Sequence, residues 1–153
     1  MENLSARDKD RLVDAIPVIT AYVAFADGSL DAVEVDTARR LATLKKHRKD
    51  LSQSVRKYYE EVINSFDDRF ERLVGTLPDE EEPRMDVLEN KLRDLNGILA
   101  KLDPLHAYEL YKTFKSYASR VAKSEGTFLG MGGVGPKQDK AAQLEMLSQP
   151  DSL

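Results

Sequence analysis

Apolar residues at three- and four-residue spacing run through almost the whole chain and restrict it to helices. Leu12, Val13, Ile16, Ile19, Tyr22, Val23 and Ala26 form the longest such stripe, with Ser5 placed as its N-cap. Val18 and Phe25 fall on other faces, which is the pattern of a helix surrounded by protein. Pro17 inside this stripe lacks the N–H that the Val13 carbonyl would accept, which predicts a kink or a weakened turn there. Further stripes follow at Val35–Leu44, at Val55–Leu73 (one or two helices, with a break expected near Asp67-Asp68), and at Val87–Leu99 after a start at Asp86. Asp103-Pro104 reads as an N-cap followed by proline at the first helical position, ahead of Leu110–Ala122. A short helix is expected from Pro136 to about Leu147, with a disordered tail after about 148. Between them, Gly75 to Pro83 reads as a solvated loop carrying Asp79-Glu80-Glu81-Glu82. The expectation is one all-α domain over residues 1–153, with six or seven helices. A chain of 153 residues can bury roughly 70% of its unfolded surface, and a 41% hydrophobic content supplies one core.

The turn after the first stripe, Ala26-Asp27-Gly28-Ser29-Leu30-Asp31-Ala32-Val33-Glu34, joins two helical segments through acidic residues. Gly28 suits the left-handed position past a helix end, and Asp31 with Glu34 three residues on matches a capping box. Ser124-Glu125-Gly126-Thr127-Phe128 echoes the turn 98 positions later. At that offset Leu12 aligns with Leu110, Ile16 with Phe114, Ile19 with Tyr117, Val23 with Val121 and Gly28 with Gly126. After five extra loop residues, Ala38, Leu41 and Leu44 align with Ala141, Leu144 and Leu147. The chain therefore reads as two related helix-turn-helix ends, each with an acidic turn at its hinge.

The segment Ala24–Leu44, centred on Ala26-Asp27-Gly28-x-Leu30-Asp31-x-x-Glu34, resembles the TerB-like family of tellurite-resistance proteins. Val121 to Phe128 and the helix after the glycine loop look like that family's second acidic turn. The resemblance implies an all-helical fold, a bacterial cytoplasmic setting, and a metal-binding or scaffolding role in a stress response, without enzymatic activity. The second half departs from the family: Glu125 stands where Asp is usual, Val134 matches Asp31, and Lys137 matches Glu34. Glu125 is accordingly the weaker candidate ligand.

A helix-turn-helix can bring Asp27, Asp31 and Glu34 together, and three carboxylates with turn carbonyls suit a divalent cation that prefers oxygen, Ca²⁺ rather than Zn²⁺. The spacing is not that of an EF-hand loop. Capping explains Asp31 and Glu34 without any metal. It does not explain Asp27, an acid near a helix C-terminus where the dipole disfavours it.

The remaining motifs divide between bland and functional readings. Arg39, Arg40, Lys45, Lys46, Arg48 and Lys49 suit a helix C-terminus and ordinary solvation, or a peripheral contact with anionic lipid or nucleic acid. A net charge of −4 gives no general attraction to nucleic acid, and none is expected as a partner. Gly130-Met131-Gly132-Gly133-Val134-Gly135 matches G-x-G-x-x-G but follows a helix, so it is no dinucleotide fingerprint. Phe128, Leu129 and Met131 make the loop over 126–135 either a core plug or a docking element for a protein partner. The absence of Cys rules out thiolate chemistry, disulfides and Cys-bound zinc. His47, His106 and Asp14 form no catalytic pattern, and no signal peptide or membrane span is legible at the N-terminus. Tyr58, Tyr59, Tyr108, Tyr111 and Tyr117 suit either the core or an interface.

Overall fold

The computed structural model describes residues 4–28, 30, 32–128 and 136–150, without the side chains of 27, 124–128 and 136. Helix α1 (Ala6–Ala24) is capped by Ser5, whose Oγ accepts the Asp8 N–H at 3.1 Å. A 3₁₀ turn over Phe25–Asp27 leads to Gly28, and α2 spans Ala32–Lys46. Helices α3 (Gln53–Thr76), α4 (Glu81–Leu99), α5 (Pro104–Phe128) and α6 (Pro136–Ala142) complete an all-α domain. Helix α1 touches every other helix, and from Leu12 to Ala24 only Asp14 escapes full burial. The spill of apolar residues around its faces has this cause: one side packs on α3, another on α4, and the rest on α2, α5 and α6. Pro17 is accommodated without ending the helix.

Several boundaries differ from the sequence expectation. Helix α3 is continuous through Asp67-Asp68, because both acids are exposed and leave the buried stripe Val62, Phe66, Phe70 intact. Helix α4 begins at Glu81 rather than Asp86, which places Glu81 and Glu82 in its first turn beside the positive end of the helix dipole. The supposed loop thus shrinks to residues 77–80. Helix α5 runs through Glu125 and Gly126 to Phe128, so no acidic turn interrupts the chain there; glycine at a helix end is a preference, not a stop. Helix α6 ends at Ala142 instead of near Leu147. Leu144 then takes a left-handed backbone (φ +46°), and Leu144 and Leu147 are both buried.

The two helical ends pack reciprocally. Helix α2 lies on α5 while α6 lies on α1, so each pair sets its second helix against the other pair's first. Leu12/Leu110, Ile16/Phe114, Ile19/Tyr117, Val23/Val121, Ala38/Ala141 and Leu41/Leu144 are buried at both positions. The echo fails at its last position: Leu44 is 59% exposed, whereas Leu147 is core.

Three of the tyrosines belong to the interior. The Tyr58 hydroxyl donates to the Leu12 carbonyl (2.6 Å), Tyr59 to Thr113 Oγ1 (2.8 Å), and Tyr117 to the Ala38 carbonyl. Each ring fills core volume while its hydroxyl links two helices. Burial pushes the ionisation of all three upward, so they stay neutral in the fold.

Residues 143–148 are tied down by polar side chains. Asn96 Nδ2 donates to the Met146 carbonyl (2.8 Å) and its Oδ1 accepts the Ser148 N–H (2.9 Å). Lys115 Nζ donates to the carbonyls of Gln143 and Leu144 just past α6, a cation on a helix C-terminus. Replacing Asn96 with Ala should cost ~1–2 kcal/mol in urea unfolding. It should also raise amide exchange at Ser148 selectively. Unchanged exchange there would show that Leu144 and Leu147 anchor the segment alone.

Candidate functional site

The hinge between α1 and α2 is built from a backbone that only glycine adopts cheaply. Gly28 has φ +99° and ψ −16°, and its N–H closes the turn onto the Phe25 carbonyl at 2.9 Å. A Cβ on Gly28 would meet nothing within 4 Å, so the requirement is one of backbone conformation, not of space. Helix α2 starts four residues later, at Ala32.

Glu34 lies in the first turn of α2 and is 0% exposed. A carboxylate at that depth needs donors, because burial without them costs several kcal/mol. One comes from the other half of the chain: Gln138 Nε2, on α6, donates to Glu34 Oε1 at 2.8 Å. Gln138 is itself buried, so the pair is sealed between α2 and α6. The first turn of α2 adds the favourable end of its helix dipole.

A cation already sits on the hinge. Arg84, from the first turn of α4, lays its guanidinium 4.2 Å from the centroid of the Phe25 ring. Its Nη2 reaches the Gly28 carbonyl (3.3 Å) and its Nη1 the Asp79 carbonyl (3.1 Å). Ring, turn carbonyl and α4 are thereby joined by one planar side chain, a role that suits Arg better than Lys. Neither Arg84 nor Gln138 stands out in the sequence. Arg84 follows Pro83 in an acidic stretch, and Gln138 neighbours the Lys137 that the repeat aligns with Glu34.

Of the four acids expected to bind metal, Glu34 alone is described as a side chain. Asp27 closes the 3₁₀ turn, but its side chain lies outside the described residues, as does Asp31 altogether. Glu125 lies within α5, away from any turn, and its side chain is likewise outside the described set. Among the described residues, no group of three or more His, Cys, Asp or Glu side chains stands close enough to hold a metal ion. Leu129 and Met131 of the glycine loop, and the loop residues 129–135 generally, also fall outside the described residues.

The basic run does not form one cationic face. Arg39 pairs with Asp67 (2.6 Å), Arg40 with Asp36 (3.0 Å), and Arg48 with Asp50. Lys45, expected at the surface, is only 4% exposed and stands 5.9 Å from the centroid of Tyr59. Lys46 and Lys49 remain without ion pairs among the described residues. Asp14 is bonded to a neighbour, with Arg69 Nη1 at 2.8 Å from its Oδ1 and at 2.8 Å from Asp10 Oδ1. No described helix is long and apolar enough to cross a membrane.

No protein-family model, curated protein or solved structure matches this chain.

Two outcomes follow from this geometry. Gly28→Ala should destabilise the fold by ~1 kcal/mol through its left-handed backbone, and Gly28→Asn by less, as read from urea midpoints. Equal midpoints for all three would mean the hinge backbone relaxes. Lys45 gives a pH signature: burial, with Arg48 and Arg120 nearby, pushes its ammonium down to about 8. Unfolded lysine titrates at about 10.4, so above pH 8 the unfolded chain binds more protons and stability rises with pH. Over pH 8–9 the buried tyrosines do not yet oppose this trend. Lys45→Met should remove the rise and stabilise the fold at pH 7 by ~1–2 kcal/mol, since the buried cation disappears. An identical pH slope in parent and variant would place the Lys45 ammonium in water.

Proposed function

We propose that this chain is a non-enzymatic accessory protein in which the acidic hinge between α1 and α2 sets a partner-binding surface, with a divalent cation as its ligand. The observation that carries the reading is the sealed Glu34–Gln138 pair. It makes the start of α2 a place where charge on one half of the molecule is felt by the other half, through α6. The resemblance of Ala24–Leu44 to TerB-like proteins supports a stress-response role and favours Ca²⁺ over Zn²⁺ at a site with oxygen donors only. In this mechanism Asp27, Asp31 and Glu34 supply the carboxylates. Neutralising them fixes the angle between α1 and α2 and so changes the face that a protein partner meets.

Arg84 favours a second reading. A guanidinium held on the Gly28 carbonyl already brings positive charge to the acidic turn, so the hinge can be a metal-independent interaction module. Binding to anionic lipid or nucleic acid through Arg39–Lys49 has less support, because three of its arginines are engaged by aspartates and Lys45 is buried.

Melting of metal-stripped protein with Ca²⁺, Mg²⁺ or Zn²⁺ separates the two leading readings. A cation present at about 100 times its Kd should add ~2.7 kcal/mol, roughly 5–11 °C for a chain of this size. The shift should vanish in Asp27→Asn and in Glu34→Gln, whose amide oxygen can still accept from Gln138. No shift with any of the three ions would leave the interaction module as the function of the hinge.

A further inference from the structure

Helix α2 runs antiparallel along α3, so that Arg39 meets Asp67 and Lys45 stands over Tyr59. The same register carries the end of α2 past the first two turns of α3. There Lys46 and His47 line an open cleft of about 360 Å³ together with Gln53, Arg56, Lys57 and Glu60. The four α3 residues stand at i, i+3, i+4 and i+7, on one stripe of the helix, while Val55, Tyr58, Tyr59 and Val62 take its buried side. The cleft collects cations that nothing else in the chain has claimed. Among the described residues three arginines are half-buried: Arg56, Arg69 and Arg84. Arg69 holds Asp10 and Asp14, and Arg84 holds the carbonyls of Gly28 and Asp79. The Arg56 side chain makes no hydrogen bond or ion pair among the described residues, and even its buried Nε meets no acceptor. The half-buried lysines divide in the same way. Lys115 holds the carbonyls of Gln143 and Leu144, whereas the Lys46 ammonium has no partner among the described residues. The two half-buried cations left without an acceptor therefore line one cleft.

The charges around the cleft leave it positive. Lys46, Arg56 and Lys57 stand against Glu60, which makes no ion pair with Lys57 or Arg56 although they lie three and four positions before it. The acids beside the connection between the helices are already committed: Asp50 to Arg48, and Glu109 to the Ser52 N–H at the head of α3 (2.6 Å). The first turn of α3 adds the positive end of a 24-residue helix. No aliphatic, Phe or Tyr side chain lines the cleft, so it offers no seat for a hydrocarbon chain and no such ring for bases to stack on. A compact anion with several acceptor oxygens suits this lining. Arg56 offers a fork of N–H donors, Lys46 and Lys57 point charges, and His47 and Gln53 further donors. An excess of two positive charges matches a phosphate group, at about −1.5 to −2 near pH 7, better than a single carboxylate.

We infer that the cleft between the end of α2 and the first two turns of α3 binds a phosphate group, free or carried on a small polar molecule, through Lys46, Arg56, Lys57 and His47. Only Lys46 and His47 of the basic run take part, and the rest of the site comes from α3. The cleft lies at the opposite end of α2 from Gly28, so it stands whether or not the hinge binds a cation. The free ion and a phosphate ester present the same group to these side chains.

Titration calorimetry of the full chain with orthophosphate, glucose 6-phosphate and glucose, at about 0.15 M ionic strength, tests the assignment. Saturable one-to-one binding is expected for at least one of the two phosphates, with glucose at least about tenfold weaker. Orthophosphate binding as tightly as the ester assigns the phosphate group as the whole determinant, and tighter binding of the ester assigns a phosphorylated polar molecule. The double variant Lys46→Gln, Arg56→Gln should lose about tenfold or more in affinity. Lys57→Gln, which changes only an exposed side chain, should lose about threefold or more. A remote double variant, Arg72→Gln with Lys91→Gln, removes the same charge elsewhere and should bind like the parent. Should the Lys46, Arg56 variant fail to fold, Lys57→Gln decides. Absence of saturable binding, glucose binding as tightly as the phosphates, unchanged affinity in the folded site variants, or an equal loss in the remote variant would each overturn the inference.

Discussion

The burial of α1 on all sides is the constraint from which the rest of the structure follows. Over Leu12–Ala24, where five other helices cover it, α1 carries no charged face, and its one half-exposed acid there, Asp14, is met by Arg69. It ends in a tight turn with a left-handed Gly28, and α2 doubles back onto α5 and α3.

The hinge couples elements that are distant in the chain through polar contacts rather than through packing alone. Arg84 ties the end of α1 to α4, and Gln138 ties the start of α2 to α6. The buried Glu34 carboxylate requires a donor that a hydrocarbon could not supply, and the Gln138 amide supplies it. Only the Glu34–Gln138 pair is buried, and it restricts α2 and α6 to an arrangement that satisfies both groups.

How much of this was legible in the sequence depended on whether the signal was local. The stripes at Leu12–Ala26 and Leu110–Ala122, the Ser5 cap, the Asp103-Pro104 start and the left-handed Gly28 all rest on neighbours within one or two turns, and all are present in the structure. Helix ends set by competition were misplaced. Gly126 continues α5, Pro83 sits in the first turn of α4 without delaying it, and α6 stops early because Leu144 and Leu147 are drawn into the core. The candidate site was legible only on one side. Glu34 was marked by its spacing from Asp31, but its burial and its partner 104 positions away depend on how α6 docks, for which a single sequence carries no periodicity. The solvated reading of Lys45 failed for the same reason: the ammonium of a lysine at a helix end can stand over a tyrosine ring from the next helix.

The separation of Glu34 from Gln138 has a consequence for biosynthesis. At roughly 5–20 residues per second, the 104 positions between them take roughly 5–20 s to translate. During that interval α1 and α2 can pair, but the Glu34–Gln138 bond cannot form until the segment bearing Gln138 arrives. Closure of so long a loop carries an entropic cost that local helix pairing does not. The bond that seals the first turn of α2 is thus one of the contacts that can be made only after α6 has been synthesised.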